Sequence, residues 1–156
     1  MKNTTLCYIE QDGKYLCLYR NKKENDLNEG KYVGPGGHFE EAESPEDCAL
    51  REVREETGLT LTHYEYRGIV TFISDKWESE LMHLFWADAF VGELKECDEG
   101  DLIWVDKHDL LQKALWQGDK IFLQLLEERP PFFSLKLRYE GEALVQAVLN
   151  GKELAI

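Results

Sequence analysis

Both ends of a helix are written into the stretch from Ser44 to Gly58, and no other stretch constrains the fold as much. Ser44 carries the short hydroxyl of an N-cap, Pro45 suits the first helical position, Glu46 and Asp47 favour the positive end of the helix dipole, and Gly58 can adopt a left-handed stop. At about 100° per residue the side chains between them sort by face. Ala49, Leu50, Val53 and Thr57 share one face, while Glu52, Glu55 and Glu56 stand together on a neighbouring one. The three carboxylates converge.

That convergence is costly. Two charges about 5 Å apart at an effective dielectric near 20 repel by roughly 3 kcal/mol, falling below about 1 kcal/mol in free solvent. A solvated acidic face is the simplest reading of such a run. The other is a cation site, because closely packed hard oxygen donors are what Mg²⁺ or Mn²⁺ requires, and a divalent ion turns the repulsion into attraction. Arg51 and Arg54 lie on the remaining arc, where they can pair with Glu55 and with Asp47 or Glu43. Upstream, Gly30 to Glu40 reads as a short strand into a glycine-rich turn, with Gly34, Gly36 and Gly37 around Pro35 allowing a sharp turn and close approach to a ligand.

Gly37, Glu43 after five residues, and Arg51-Glu52-Val53-Arg54-Glu55-Glu56-Thr57-Gly58-Leu59 after seven more match every specified position of the signature of the Nudix hydrolases, the MutT-like family, which the chain therefore resembles. The resemblance implies a single Nudix domain over residues 1–156, of α+β class, with a mixed β-sheet between helices in an α/β/α sandwich. It implies hydrolysis of a nucleoside diphosphate linked to another group. Glu52, Glu55 and Glu56, with the Gly37 carbonyl, would hold Mg²⁺, or Mn²⁺, against the diphosphate, and Glu43 would orient Arg51. Glu99 is a further metal ligand or general base by the same resemblance, with Glu96 and Asp98 as rivals, and either Glu56 or Glu99 takes the proton of the attacking water.

Local patterns supply the rest of the chain. Thr4 to Glu10 and Lys14 to Arg20 read as a hairpin through Asp12-Gly13. Asn21 to Gly30 is a polar loop in which Lys22 and Lys23 are surface lysines or phosphate contacts. Leu59–Ser74 and Glu80–Val91 are long antiparallel strands, with His83 packed inside their sheet, and an acidic loop from Gly92 to Gly100 leads to a strand at Asp101–Val105. Asp106 caps a helix running to about Ala114, and Asp119–Glu128 forms another with Ile121, Phe122, Leu125 and Leu126 inward. A strand at Phe132–Tyr139 pairs with Ala143–Leu149, and Asn150 to Ile156 is expected to fray.

The order Lys23, Tyr32, Phe72, Glu99, Trp104, Trp116 and Asp119 is similar to that of the oxidised-purine triphosphatases, the 8-oxo-dGTP diphosphatase branch. Gly36 and Gly37 belong to the same substrate-binding set. By that similarity Trp116 stacks on the purine and Asp119 bonds its edge; the alternatives are a core tryptophan and a helix N-cap. Val33 departs from the Asn of mammalian members and cannot hydrogen-bond a base. The expected reaction converts (deoxy)purine nucleoside triphosphates, oxidised ones included, to monophosphate and pyrophosphate, which would sanitise the nucleotide pool. ADP-ribose or a dinucleotide polyphosphate is the alternative substrate, and a non-catalytic nucleotide-binding module the alternative class.

A net charge of −13 argues against a nucleic-acid polymer as partner, because binding a phosphate backbone relies on a basic surface. A small nucleotide is compatible, since metal and a few basic groups meet its charge locally. Cys7, Cys17, Cys48 and Cys97 show no paired spacing and are expected as reduced thiols. No apolar run is long enough for a signal peptide or membrane span, so the expectation is a cytoplasmic monomer or homodimer.

Overall fold

The computed structural model covers residues 1–156. Strand β1 (Lys2–Gln11) turns through Asp12 and Gly13, both at positive φ (53° and 76°), into the antiparallel β2 (Lys14–Tyr19). Two consecutive positive φ values are what a two-residue hairpin needs to follow the strand twist. β2 also pairs with the short β3 (Tyr32–Val33) and, along its whole length, with β6 (Asp101–Asp106). On its other side β1 runs parallel to β5 (Glu80–Val91), which pairs antiparallel with β4 (Thr60–Ser74). β4 is parallel to β7 (Phe133–Glu140), and β7 continues antiparallel into β8 (Ala143–Leu149) and β9 (Lys152–Leu154). The nine strands form one mixed sheet.

Both faces of this sheet are covered, and strand alternation divides the residues between them. Cys7 and Ile9 of β1, Leu16 of β2 and Phe85 and Ala87 of β5 pack with Ala49 and Val53 of helix α1 (Pro45–Thr57). Their neighbours Tyr8, Tyr15, Cys17, Leu84 and Trp86 point the other way, to Phe122, Leu123, Leu125 and Leu126 of helix α3 (Asp119–Glu128). This is the α/β/α sandwich that the family resemblance implied. Each fully buried Val, Leu or Phe in these layers contributes about 1.5–3 kcal/mol. At the C-terminal end of α3, Arg129 takes a left-handed cap (φ 55°), and its guanidinium bonds Glu65 of β4 at 3.2 Å and lies over the Trp86 ring.

Several expectations need correction. Helix α2 (Lys107–Leu110) is a single turn capped by Asp106 and does not reach Ala114. Its continuation tightens into i→i+3 turns, and the Ala114 carbonyl leaves to accept the Tyr32 amide at 2.9 Å. The chain end does not fray, because Asn150 (φ 49°) and Gly151 (φ 81°) form a second two-residue hairpin that docks β9 on β8. Leu123 is buried in the α3 core along with the expected residues, whereas Ile121 is only partly buried. All four cysteines are free and buried. No helix is long and apolar enough to cross a membrane.

Candidate active site

Helix α1 forms as its sequence dictates. The Ser44 hydroxyl accepts from the Asp47 amide at 3.1 Å, the Asp47 carboxylate accepts from the Ser44 amide at 3.0 Å, and Gly58 (φ 83°) donates its amide to the Arg54 carbonyl. Ala49, Val53 and Thr57 anchor one face to the sheet, which fixes the angle of the opposite, acidic face.

The strand before the helix is held flat against β1. The Thr5 amide donates to the Gly37 carbonyl and the Cys7 amide to the Pro35 carbonyl, both at 2.8 Å. Gly34, Gly36 and Gly37 all have ordinary negative or extended φ, and the chain bends at Pro35 between them. Their role is close approach: a Cβ on Gly36 would stand 1.9 Å from the Thr5 carbonyl oxygen, and one on Gly37 would stand 2.6 Å from the Glu52 carboxyl carbon.

Arg51 organises the acidic face. Its Nε and Nη2 grip both oxygens of Glu43 at 2.7 and 2.9 Å, Nη1 donates to Glu52 at 2.8 Å and to Glu55 at 3.1 Å, and Nη2 also reaches the His38 carbonyl. These bonds pull the Glu43 carboxyl down to about 2 and push the Arg51 pKa up. Glu43 and Arg51 are thus brought together, with Glu43 behind the guanidinium. Arg54 makes no ion pair and is exposed.

Glu52 and Glu56 line a cavity of about 490 Å³, and Glu99 reaches it from the loop before β6. Glu56 accepts the Gly36 amide at 3.1 Å. Burial, reinforced by the Glu52 and Glu99 charges, pushes its carboxyl up to about 8. Burial raises Glu52 as well, against the pull of Arg51. Glu55 is not in the cavity wall; it is exposed and paired to Arg51. In this arrangement no three histidine, cysteine or carboxylate side chains are close enough to hold a metal ion. The donor types still fit a hard divalent cation: carboxylates of Glu52, Glu56 and Glu99, the last adding to the proton affinity of the other two, beside the Gly37 carbonyl. Glu96 and Asp98 do not line the cavity.

Glu99 is held by a residue the sequence reading did not select. Arg20, buried at the end of β2, donates Nη1 to Glu99 and Nε to Asp26. Lys23, in the intervening loop, lines the cavity; Lys22 instead reaches the Cys97 carbonyl at 3.0 Å.

The far end of the cavity is aromatic and apolar, lined by Leu6, Val33, Phe72, Met82, Trp116 and Tyr139. Trp116 is only 5% exposed and meets Phe72, Trp77 and Tyr139 edge to face at 5.0–5.7 Å, so it is at once a core residue and a cavity wall. Its Nε1 donates to Asn28 at 2.9 Å. Asp119 is the first residue of α3, not its N-cap; Gly118 takes that position without a side-chain cap. Its carboxyl lines the cavity, and burial pushes it up to about 8. Tyr32 lies outside the cavity wall, packed on Tyr19 at 4.8 Å, because β3 alternation points Val33 inward. Trp104 likewise stacks on Phe90 on the α1 face. Arg20, Asn28, Met82, Glu80 and Tyr139 were missed; each is brought in by pairing or loop closure that no local pattern records.

Against known proteins, the model of the NUDIX domain matches residues 2–126, and the chain belongs to the Nudix hydrolase family. Its kind within the family is MutT-like, a pyrophosphohydrolase. It is 34% identical over 131 residues to the Bacillus subtilis Nudix hydrolase YvcI, covering 81% of this chain and 79% of that one. It is 30% identical over 146 residues to an oxidized purine nucleoside triphosphate hydrolase of Danio rerio, covering 92% and 90%. The MutT protein of Bacillus halodurans superposes with a TM-score of 0.83 at 26% identity, covering 96% of this chain and 98% of its own. Nudix hydrolases generally use divalent metal ions and bind small nucleotides.

Proposed function

We propose that this enzyme hydrolyses purine nucleoside triphosphates, oxidised purines included, to the monophosphate and pyrophosphate with Mg²⁺ or Mn²⁺. The observation that carries the reading is one cavity with two chemically distinct ends, an aromatic cleft ending in a buried acid and a carboxylate cluster beside a glycine strand. The likeness to the Danio rerio enzyme over 92% of the chain supports the same substrate class.

The base enters the cleft whose wall Phe72 and Trp116 form, where aromatic surfaces contribute dispersion and exclude water. Asp119 is protonated at neutral pH, so its carboxyl both donates to and accepts from a purine edge, which Val33 cannot do. Phosphates extend toward Lys23 and the Gly36-Gly37 strand. Glu52, Glu56 and Glu99, with the Gly37 carbonyl, would hold the cation, and Glu55, now bonded to Arg51, would be a further ligand. When bound, the cation neutralises phosphate charge and acidifies water. Glu56 or Glu99 accepts the proton from the water that attacks phosphorus.

The test is a panel of normal and oxidised purine triphosphates, ADP-ribose and dinucleotide polyphosphates with Mg²⁺, reading phosphate with and without added pyrophosphatase. Pyrophosphate from the triphosphates alone is expected. Turnover confined to ADP-ribose or the dinucleotides would overturn the substrate assignment, and silence throughout would favour a binding module.

A further inference from the structure

One carboxylate in the cavity has no part in the chemistry above. Glu80 lines the wall with a side chain 15% exposed, and no protein group donates a hydrogen bond to it. Its nearest charged or chargeable neighbour is His38 Nε2 at 3.6 Å; Lys2, opposite it on β1, pairs with Glu78 at 3.2 Å. A carboxylate taken from water without donors is costly unless something else supplies them. Burial accordingly raises its pKa.

Position narrows what that something is. Glu80 stands opposite Phe72 in the β4–β5 register and two residues before Met82, on the same face, so its carboxylate adjoins the aromatic end. His38, which it faces, follows Gly37 and bridges to Thr4 of β1, so the same carboxylate also adjoins the glycine strand where Glu52 and Glu56 gather. Phosphates are excluded as its partner by charge. What joins a base at one end to phosphates at the other is a sugar, whose hydroxyls are donors that a carboxylate can accept in pairs.

We propose that Glu80 accepts hydrogen bonds from the sugar hydroxyls of the bound nucleotide, so that the pocket selects a ribonucleotide over its 2′-deoxy form. This rests on the reading of the cavity as a nucleoside triphosphate site and adds the sugar to it.

The experiment is equilibrium binding, followed by tryptophan fluorescence, of α,β-imido analogues of GTP, 2′-deoxy-GTP and 3′-deoxy-GTP to wild type, Glu80→Gln and Glu80→Ala. A hydrogen bond to a charged acceptor gives wild type a preference of about tenfold for GTP over each deoxy form. In Glu80→Ala that ratio falls to within about twofold of unity, and in Glu80→Gln, whose amide oxygen still accepts, it lies between. Ratios taken within one variant do not depend on the fraction folded, and the near-isosteric Gln covers a failure of Ala to fold. Equal affinities in wild type, or a tenfold ratio persisting in Glu80→Ala, overturn the sugar contact and leave the triphosphatase reading standing. Binding of neither form to wild type overturns both.

Discussion

Arg20 Nη1 donates to Glu99 Oε2 at 2.8 Å across 79 residues of sequence, while Nε of the same guanidinium holds Asp26 at 2.6 Å. The loop that carries Lys23 and the loop that carries Glu99 are thus fastened to a single planar group. Its planar fork serves the two carboxylates from separate nitrogens, whereas a lysine would have to reach both from one.

Replacing Arg20 with Met should therefore free Glu99 and lower kcat/KM for a purine triphosphate by about 10–100-fold at moderate Mg²⁺, with a higher Mg²⁺ requirement. Loss of a buried partner should also reduce stability by about 3 kcal/mol in urea unfolding. Arg20→Lys should fall between. Wild-type Mg²⁺ dependence in Arg20→Met would remove Glu99 from the site.

Adjacent glycines should fail differently. Gly36→Ala drives a Cβ into the Thr5 backbone, which cannot yield, so soluble expression or Tm should collapse. Gly37→Ala meets only the end of the Glu52 side chain. That variant should fold with Tm within a few degrees of wild type yet lose about 100-fold or more in kcat, a pairing of calorimetry and kinetics that separates the two sites. Equal damage to Tm in both would contradict the assignment of Gly37 to the site.

The Glu56 carboxyl has a signature in metal-free protein. Below about pH 4.5 both folded and unfolded chains keep its proton; between 4.5 and 8 the unfolded chain releases it while the folded chain retains it, so stability declines as pH rises. Glu56→Gln removes that term. With chelator present, its Tm relative to wild type should climb from pH 5 to pH 8 and then level off. A difference independent of pH would mean that Glu56 is not buried as described.

Asp119 offers a second titration at the other end of the cavity. A purine nucleoside without phosphates should bind with constant affinity up to about pH 7 and more weakly above about 8, as the carboxyl ionises and loses its donor. Asn keeps one donor and one acceptor, so Asp119→Asn should flatten that limb. Fluorescence titration across pH 6–9 decides it.

The helix of the Nudix motif could be read from the chain because its signals are local: Ser44 and Asp47 cap each other, and Gly58 stops it. The hairpin at Asp12-Gly13 was equally legible, and Asn150-Gly151 carries the same turn chemistry; its position near the chain end masked it. Long-range facts were not legible. The Arg20–Glu99 bond, the Glu80 carboxylate beside Phe72 and the outward turn of Tyr32 depend on register across the sheet. Convergence of Glu52, Glu55 and Glu56 was correct as angle on a helix, and so was the i,i+4 pairing of Arg51 with Glu55; that this pairing leaves Glu55 outside the cavity wall was not legible.

Helix α3 is pinned at its last turn, where Arg129 clasps Glu65 and covers Trp86, and it presents Asp119 to the cavity from its first. The rods between these two points act as a ruler. Removing one residue from the middle of α3 would shorten it by about 1.5 Å and swing its leading carboxyl by about 100°, out of reach of any base.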